Sequence, residues 1–144
     1  MKRVVLICAL LGAIAAGVAR ADPPGSGSVA GRVLVNPLYV TVLVPSSPVR
    51  TGRDFRIRVD VANAGAVPLL NVAVTLVRPT GVALRDRARQ VLPRIAPLDQ
   101  RRVNWDACVR NAGSYVFMAR ATTGPFTAES PAAVVEVTGA RSTC

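Results

Sequence analysis

Few residues in this 144-residue chain could carry covalent or acid–base chemistry: three cysteines, eight carboxylates and no histidine. Without histidine, Ser-His-Asp triads, Cys-His nucleophiles, zincins and type 1 copper sites are excluded. Ser46, Ser47, Ser114 and Ser130 have neither histidine nor, once an N-terminal signal is removed, lysine to act as base. The acids Asp22, Asp54, Asp60, Asp86, Asp99, Asp106, Glu129 and Glu136 stand singly, without the spacing of a calcium loop. Glycosidase chemistry would need two of them to converge in space, and nothing in the sequence says which two. No phosphate-binding loop or dinucleotide fingerprint is present. The expectation is a protein that is not an enzyme, with no metal and no cofactor.

What remains is thiol and guanidinium chemistry. Cys108 and Cys144, 36 residues apart, would form one disulfide in an oxidising compartment. Such a bond is worth roughly 3 to 4 kcal/mol in the chain-entropy model. The alternative is an intermolecular bond, since Cys144 is the last residue given and termini are commonly mobile. Arg56, Arg58, Arg85, Arg87 and Arg89 form the candidate anion-binding set, placed on outward strand positions and a charged turn, with Arg120 and Arg141 counted outside it. Genome base composition would produce the same arginine bias, and stacking aromatics do not flank these residues, so specific nucleic-acid binding is not expected. Only Tyr39 and Phe126 fall outside core register as carbohydrate platforms, and both read more simply as an edge residue and a loop anchor.

The elements that position these residues begin with an address. Met1, Lys2 and Arg3 precede sixteen uncharged residues, Val4 to Ala19, and Ala19-Arg20-Ala21 has the form a signal peptidase reads. Cleavage after Ala21 is expected; an uncleaved anchor is the alternative, although the run is short for a span of about 30 Å. Cys8 lies inside the apolar run without a lipobox. Removing residues 1–21 takes Lys2, Arg3 and Arg20 and no acid, leaving fifteen arginines against eight acids and a net charge of +7. Residues 22–32 have the composition of a flexible linker. The expected location is secreted or periplasmic, with no transmembrane span after signal cleavage.

From Val33 to the end, short runs of alternating apolar and polar residues are broken by Pro, Gly and Asn, which predicts one all-β domain over 33–144. A first strand over Val33–Val44 is interrupted at Asn36-Pro37, since proline cannot donate to a ladder. Phe55, Ile57, Val59 and Val61 alternate with Arg56, Arg58 and Asp60, giving one core face and one wet face. Further strands are predicted at Asn71–Arg78, Val82–Leu84, Val91–Ile95, through Val103, Trp105 and Ala107, through Tyr115, Phe117, Ala119 and Ala121, and through Ala133, Val135 and Val137. About seven strands at this spacing predict an antiparallel β-sandwich. The final two should pair as a hairpin, bringing Cys108 and Cys144 to one end.

Asn111-Ala-Gly113-Ser-Tyr115-Val-Phe117 resembles the immunoglobulin-type turn into strand F, with Tyr115 at the tyrosine corner and Phe117 where antibody domains carry a cysteine. More widely, residues 46–138 resemble the bacterial CARDB and DUF11-type immunoglobulin-like modules of exported proteins. The segments that carry the likeness are VRTGRDFRIRVDVANAG at 49–65, LLNVAVTLVRPTG at 69–81, IAPLDQRRVNWDA at 95–107 and NAGSYVFMARAT at 111–122. Asp99-Gln100 stands where those modules usually turn on Gly. The resemblance implies a non-catalytic extracytoplasmic module used for adhesion, spacing or assembly, and Trp105, Gly113 and Tyr115 as structural residues.

Residues and resemblance together predict a secreted, immunoglobulin-like binding or adhesion module contacting a protein or an anionic cell-envelope polymer. The alternative is an envelope assembly factor or chaperone that offers its first or last strand by β-augmentation. A monomer is expected, with a disulfide-linked dimer through Cys144 as the other possibility.

Overall fold

A computed structural model describes residues 34–144. The expected signal peptide at 1–21 and linker at 22–32 lie outside the described residues, as does Val33, the expected start of the first strand. Ten strands follow in chain order: β1 (Leu38–Leu43), β2 (Val49–Arg50), β3 (Asp54–Asn63), β4 (Leu69–Val77), β5 (Val82–Leu84), β6 (Arg89–Ile95), β7 (Gln100–Val109), β8 (Gly113–Thr123), β9 (Phe126–Glu129) and β10 (Ala133–Thr138). They form an all-β sandwich with one sheet in the order β1-β3-β7-β5 and another in the order β2-β10-β8-β4-β6, β9 adding to β8. No helix among the described residues is long and apolar enough to cross a membrane.

The longest ladder pairs β3 with β7 from Asp54↔Cys108 to Ala62↔Gln100. Its alternation sends Phe55, Ile57, Val59, Val61, Val103, Trp105 and Ala107 inward, where they meet Val72, Val74, Leu76, Phe117, Ala119, Ala121, Val135 and Val137 from the second sheet. Phe55 and Phe117 pack edge to face, ring centroids 6.1 Å apart. Trp105 is fully buried, and its indole N–H donates to the Arg87 carbonyl at 2.8 Å, so burial leaves no donor unpaired.

Two chain segments change sheets. β1 pairs antiparallel with β3, and after the turn at 45–48 β2 runs parallel to β10. On the other side β5 pairs with β7, and after residues 85–88 β6 pairs with β4. Each lateral edge is therefore formed by a strand that is interrupted as it crosses, which limits the continuous ladder open to another chain.

Several boundaries differ from the sequence-based expectation. The first strand starts at Leu38, because the Asn36 side-chain oxygen accepts from Leu38 N–H at 3.1 Å and its amide donates to the Thr127 carbonyl at 2.7 Å. That local turn competes with extension. β4 starts at Leu69, and Asn71 takes φ 50°, so Leu70 and Asn71 both face solvent before the alternation resumes at Val72. Asparagine tolerates this region better than most residues. β2 and β9 were too short to show a period; Phe126 leads β9 inward against the core.

Cys108 and Cys144 are joined in one chain, Cα atoms 5.7 Å apart, so the bond is internal. It ties the end of β7 to the segment after β10. Cys144→Ser is expected to lower unfolding free energy by roughly 3 to 4 kcal/mol under oxidising conditions. Thermal denaturation with and without reductant checks this; a wild type insensitive to reductant and equal to the variant would overturn it.

Candidate functional site

The outer face of the β1-β3-β7-β5 sheet carries much of the charge anticipated for anion binding, and the fold pairs it internally. Arg56 on β3 lies opposite Asp106 on β7, with Nε to Oδ1 at 3.0 Å. Arg85 reaches Asp54 at 3.0 Å, and Arg102 reaches Asp60 at 2.6 Å. The hydrogen bond to Asp106, and then its charge, raises the Arg56 pKa above the ordinary value; the hydrogen bond to Asp60 does the same for Arg102. The Arg56–Asp106 and Arg85–Asp54 pairs lie in solvent and add little to stability, whereas Asp60 of the Arg102 pair is only 14% exposed. Their larger consequence is electrostatic, since two of the five candidate arginines already have an anion. Arg58 lies opposite Asn104, Arg89 opposite Thr75, and Arg87 contributes its carbonyl to Trp105. None of these three pairs with a carboxylate among the described residues. The five arginines thus divide between the outer sheet face and the β5–β6 edge.

The other singled-out residues sit in the frame. The Tyr115 hydroxyl donates to the Asn111 carbonyl at 3.0 Å, the geometry of a tyrosine corner. Gly113 opens β8 at φ 150°, a conformation a side chain would strain. Trp105 fills the core. No three His, Cys, Asp or Glu side chains come together as a metal-binding group among the described residues.

A different site emerges where β3 meets its neighbours at Asn63. This residue is 1% exposed, and its side-chain amide donates to the carbonyls of Val67 at 2.8 Å and Ala96 at 3.1 Å. Its side-chain oxygen accepts from Gly65 N–H at 2.9 Å, and its backbone N–H donates to Asp99. Ala64 N–H in turn donates to the Pro37 carbonyl at 2.8 Å. One buried amide therefore holds the 64–68 and 96–99 loops beside the entry to β1.

The surface held in this way is apolar. Val35, Pro37, Val67, Pro68, Leu69 and Phe126 line a hollow of about 410 Å³, with Val35 76% and Val67 70% exposed. Leu98 in the adjoining loop is 81% exposed. Its turn has Pro97 at the second position, Leu98 at φ 56° in the third, and Asp99 N–H donating to Ala96 at 3.2 Å. These are the features of a type II turn, whose third position normally takes glycine. Leucine there costs about 1 to 2 kcal/mol and places an isobutyl group in water. In the sequence, Pro97 followed by an apolar residue at the position where such a turn favours glycine is the one signal that points to this site.

Asn63→Ala should destabilise the protein by about 2 to 3 kcal/mol, because it leaves buried carbonyls without their donor. Chemical denaturation checks this, and a loss below about 0.5 kcal/mol would show that the amide does not hold the loops.

At the level of sequence, no family model matches the chain and no curated protein matches it. Solved structures do. The segment of Escherichia coli alpha-2-macroglobulin from domain MG7 to the C-terminus is similar at 14% identity and TM-score 0.59, covering 72% of this chain and 17% of that one. Red sea bream transglutaminase is similar at 16% identity and TM-score 0.57, covering 70% of this chain and 15% of that one. This chain therefore corresponds to a small part of those two proteins. The CARDB domain of a Pyrococcus furiosus protein, solved in complex with di-metal ions, is similar at 17% identity and TM-score 0.54, covering 72% of this chain and 89% of that domain. The described residues thus have the all-β, CARDB-type immunoglobulin-like fold that the sequence resemblance implied.

Proposed function

We propose that the protein is an extracytoplasmic, non-catalytic binding module that holds a protein partner by its apolar loop end. The observation that carries this reading is Leu98, exposed in a backbone conformation that favours glycine. Strain of that kind persists where the surrounding structure enforces it, and here it presents an apolar anchor. Beside it, the open hollow lined by Val35, Val67 and Phe126 has the polarity of a seat for apolar side chains of a partner. A protein partner suits this end better than an anionic polymer, because the residues that line the hollow carry no charge.

The Cys108–Cys144 bond supports an oxidising compartment. The absence of catalysis is supported by the fold's occurrence as modules within larger proteins and by the structural use of two serines. Ser114 bonds Glu136, and Ser130 accepts from Ala119 N–H within the sandwich. A second reading, strand addition, is favoured by β1. It is an edge strand of six residues without charge or proline, with Tyr39 and Leu43 exposed.

Affinity capture from the extracytoplasmic fraction of the native culture, with wild type and Leu98→Gly side by side, tests the proposal. Leu98→Gly should keep or raise stability, by up to about 1 kcal/mol, while reducing capture of the specific partner. Undiminished capture by Leu98→Gly and by Val67→Asp would overturn the apolar-end reading, and loss with Thr41→Pro alone would select strand addition. The intact mass of the native protein should equal residues 22–144 less two hydrogens. A full-length mass would replace signal cleavage with an anchor.

A further inference from the structure

At the opposite end of the sandwich, three segments distant in sequence are fastened side by side. Gly52 N–H donates to the Val109 carbonyl at 2.8 Å, and Thr51 N–H to that of Thr138 at 3.0 Å. Ser142 N–H donates to the Arg110 carbonyl at 3.0 Å, and the disulfide joins Cys144 to Cys108 beneath. Gly52 has φ 72°, and a Cβ on it would meet the Ser142 side chain at 2.3 Å, so the last residues lie directly across this turn. The contacts bring Arg50, Arg53, Arg110 and Arg141 to one end, all four exposed. None pairs with a carboxylate among the described residues. The loops that carry them, 50–53, 110–113 and 139–144, contain no acidic side chain.

This differs from the sheet face, where each of Asp54, Asp60 and Asp106 holds an arginine. Four arginines without a carboxylate partner among the described residues, on backbone fixed by hydrogen bonds and a disulfide, concentrate guanidinium donors for oxyanions at this end. The same loops are rich in Gly, Ser, Thr and Asn and carry no large apolar side chain that could wedge into a bilayer.

We propose that this arginine cap binds a flexible polyanion with closely spaced phosphate groups. The site is distinct from the apolar end and does not rest on the partner reading given above. Its specificity is for charge density. Four contacts to a single-stranded polyanion give a slope of about −3 in log affinity against log salt, or about fifty-fold weaker binding from about 50 to about 200 mM salt. Because Arg141 is held by the Cys144 bond, opening the disulfide should release one of the four contacts.

The test is fluorescence anisotropy with labelled linear polyphosphate on the oxidised protein across that salt range. Two variants each lose four positive charges: Arg50, Arg53, Arg110 and Arg141→Ala at the cap, and Arg58, Arg87, Arg89 and Arg94→Ala elsewhere. The cap variant should lose most of the binding and its salt dependence while the second retains both, with melting temperatures confirming that each is folded. Cys144→Ser should bind roughly two- to fivefold more weakly than wild type. Equal losses in the two quadruple variants would mean that net charge alone attracts the polymer, and the cap would be no site. Absence of polyphosphate binding at low salt would overturn the proposal, as would binding only to phosphatidylglycerol vesicles, which would identify a lipid surface instead.

Discussion

The β3–β7 ladder is the constraint on which the rest of the molecule depends. Nine successive pairs run from Asp54↔Cys108 to Ala62↔Gln100, and the alternation of β3 and of the middle of β7 sets which side chains face core and which face solvent. A slip of one residue in β3 would bury Arg56, Arg58 and Asp60 and expose Ile57 and Val59, a cost no surface contact could offset. With this register set, the two ends of the ladder become the two ends of the sandwich. Asn63 follows the last pair at one end, and Cys108 takes part in the first pair at the other. The apolar loops and the arginine cap are each organised by the residue that terminates the ladder.

Charge is distributed along the same axis. Across the middle of the ladder, arginine faces aspartate on the neighbouring strand, and opposite charges directly across a sheet stabilise each other modestly while cancelling the field beyond it. At the cap, Arg53, Arg110 and Arg141 come from turns and Arg50 from the end of β2, opposite Thr138, so no opposing strand supplies a carboxylate. A net positive chain therefore does not present a uniformly positive surface. Its sheet face is close to neutral, its cap is basic, and its far end is apolar.

The similarity to modules of alpha-2-macroglobulin and transglutaminase, at 14% and 16% identity, concerns this frame alone. Immunoglobulin-like sandwiches keep the ladder, the inward alternation and the tyrosine corner while their loops vary, since the frame answers to core packing and the loops to their partners. The Leu98 turn illustrates the division. The backbone turns as the frame requires, and the residue placed there departs from what the turn favours.

The amino-acid sequence by itself determined the all-β class, the inward set of β3, β7 and β10, and the exclusion of histidine-dependent chemistry, because these follow from period-two patterning and from composition. It also made an internal Cys108–Cys144 bond the default over an intermolecular one, and the structure closes it within the chain. Short strands such as β2 and β9 were illegible, since two and four residues carry no period. The phase change at Asn71 was equally hidden, because it comes from one backbone angle. Which arginines are free was decided only in three dimensions. Arg56 and Arg85 looked available until strand pairing brought Asp106 and Asp54 to them, whereas Arg50, Arg53, Arg110 and Arg141 lie up to ninety-one positions apart and meet only through the Gly52, Arg110 and Cys144 contacts. Patterning along a strand is a local property that sequence records directly. The company an exposed charge keeps depends on non-local pairing, and that exists only once the sheets have formed.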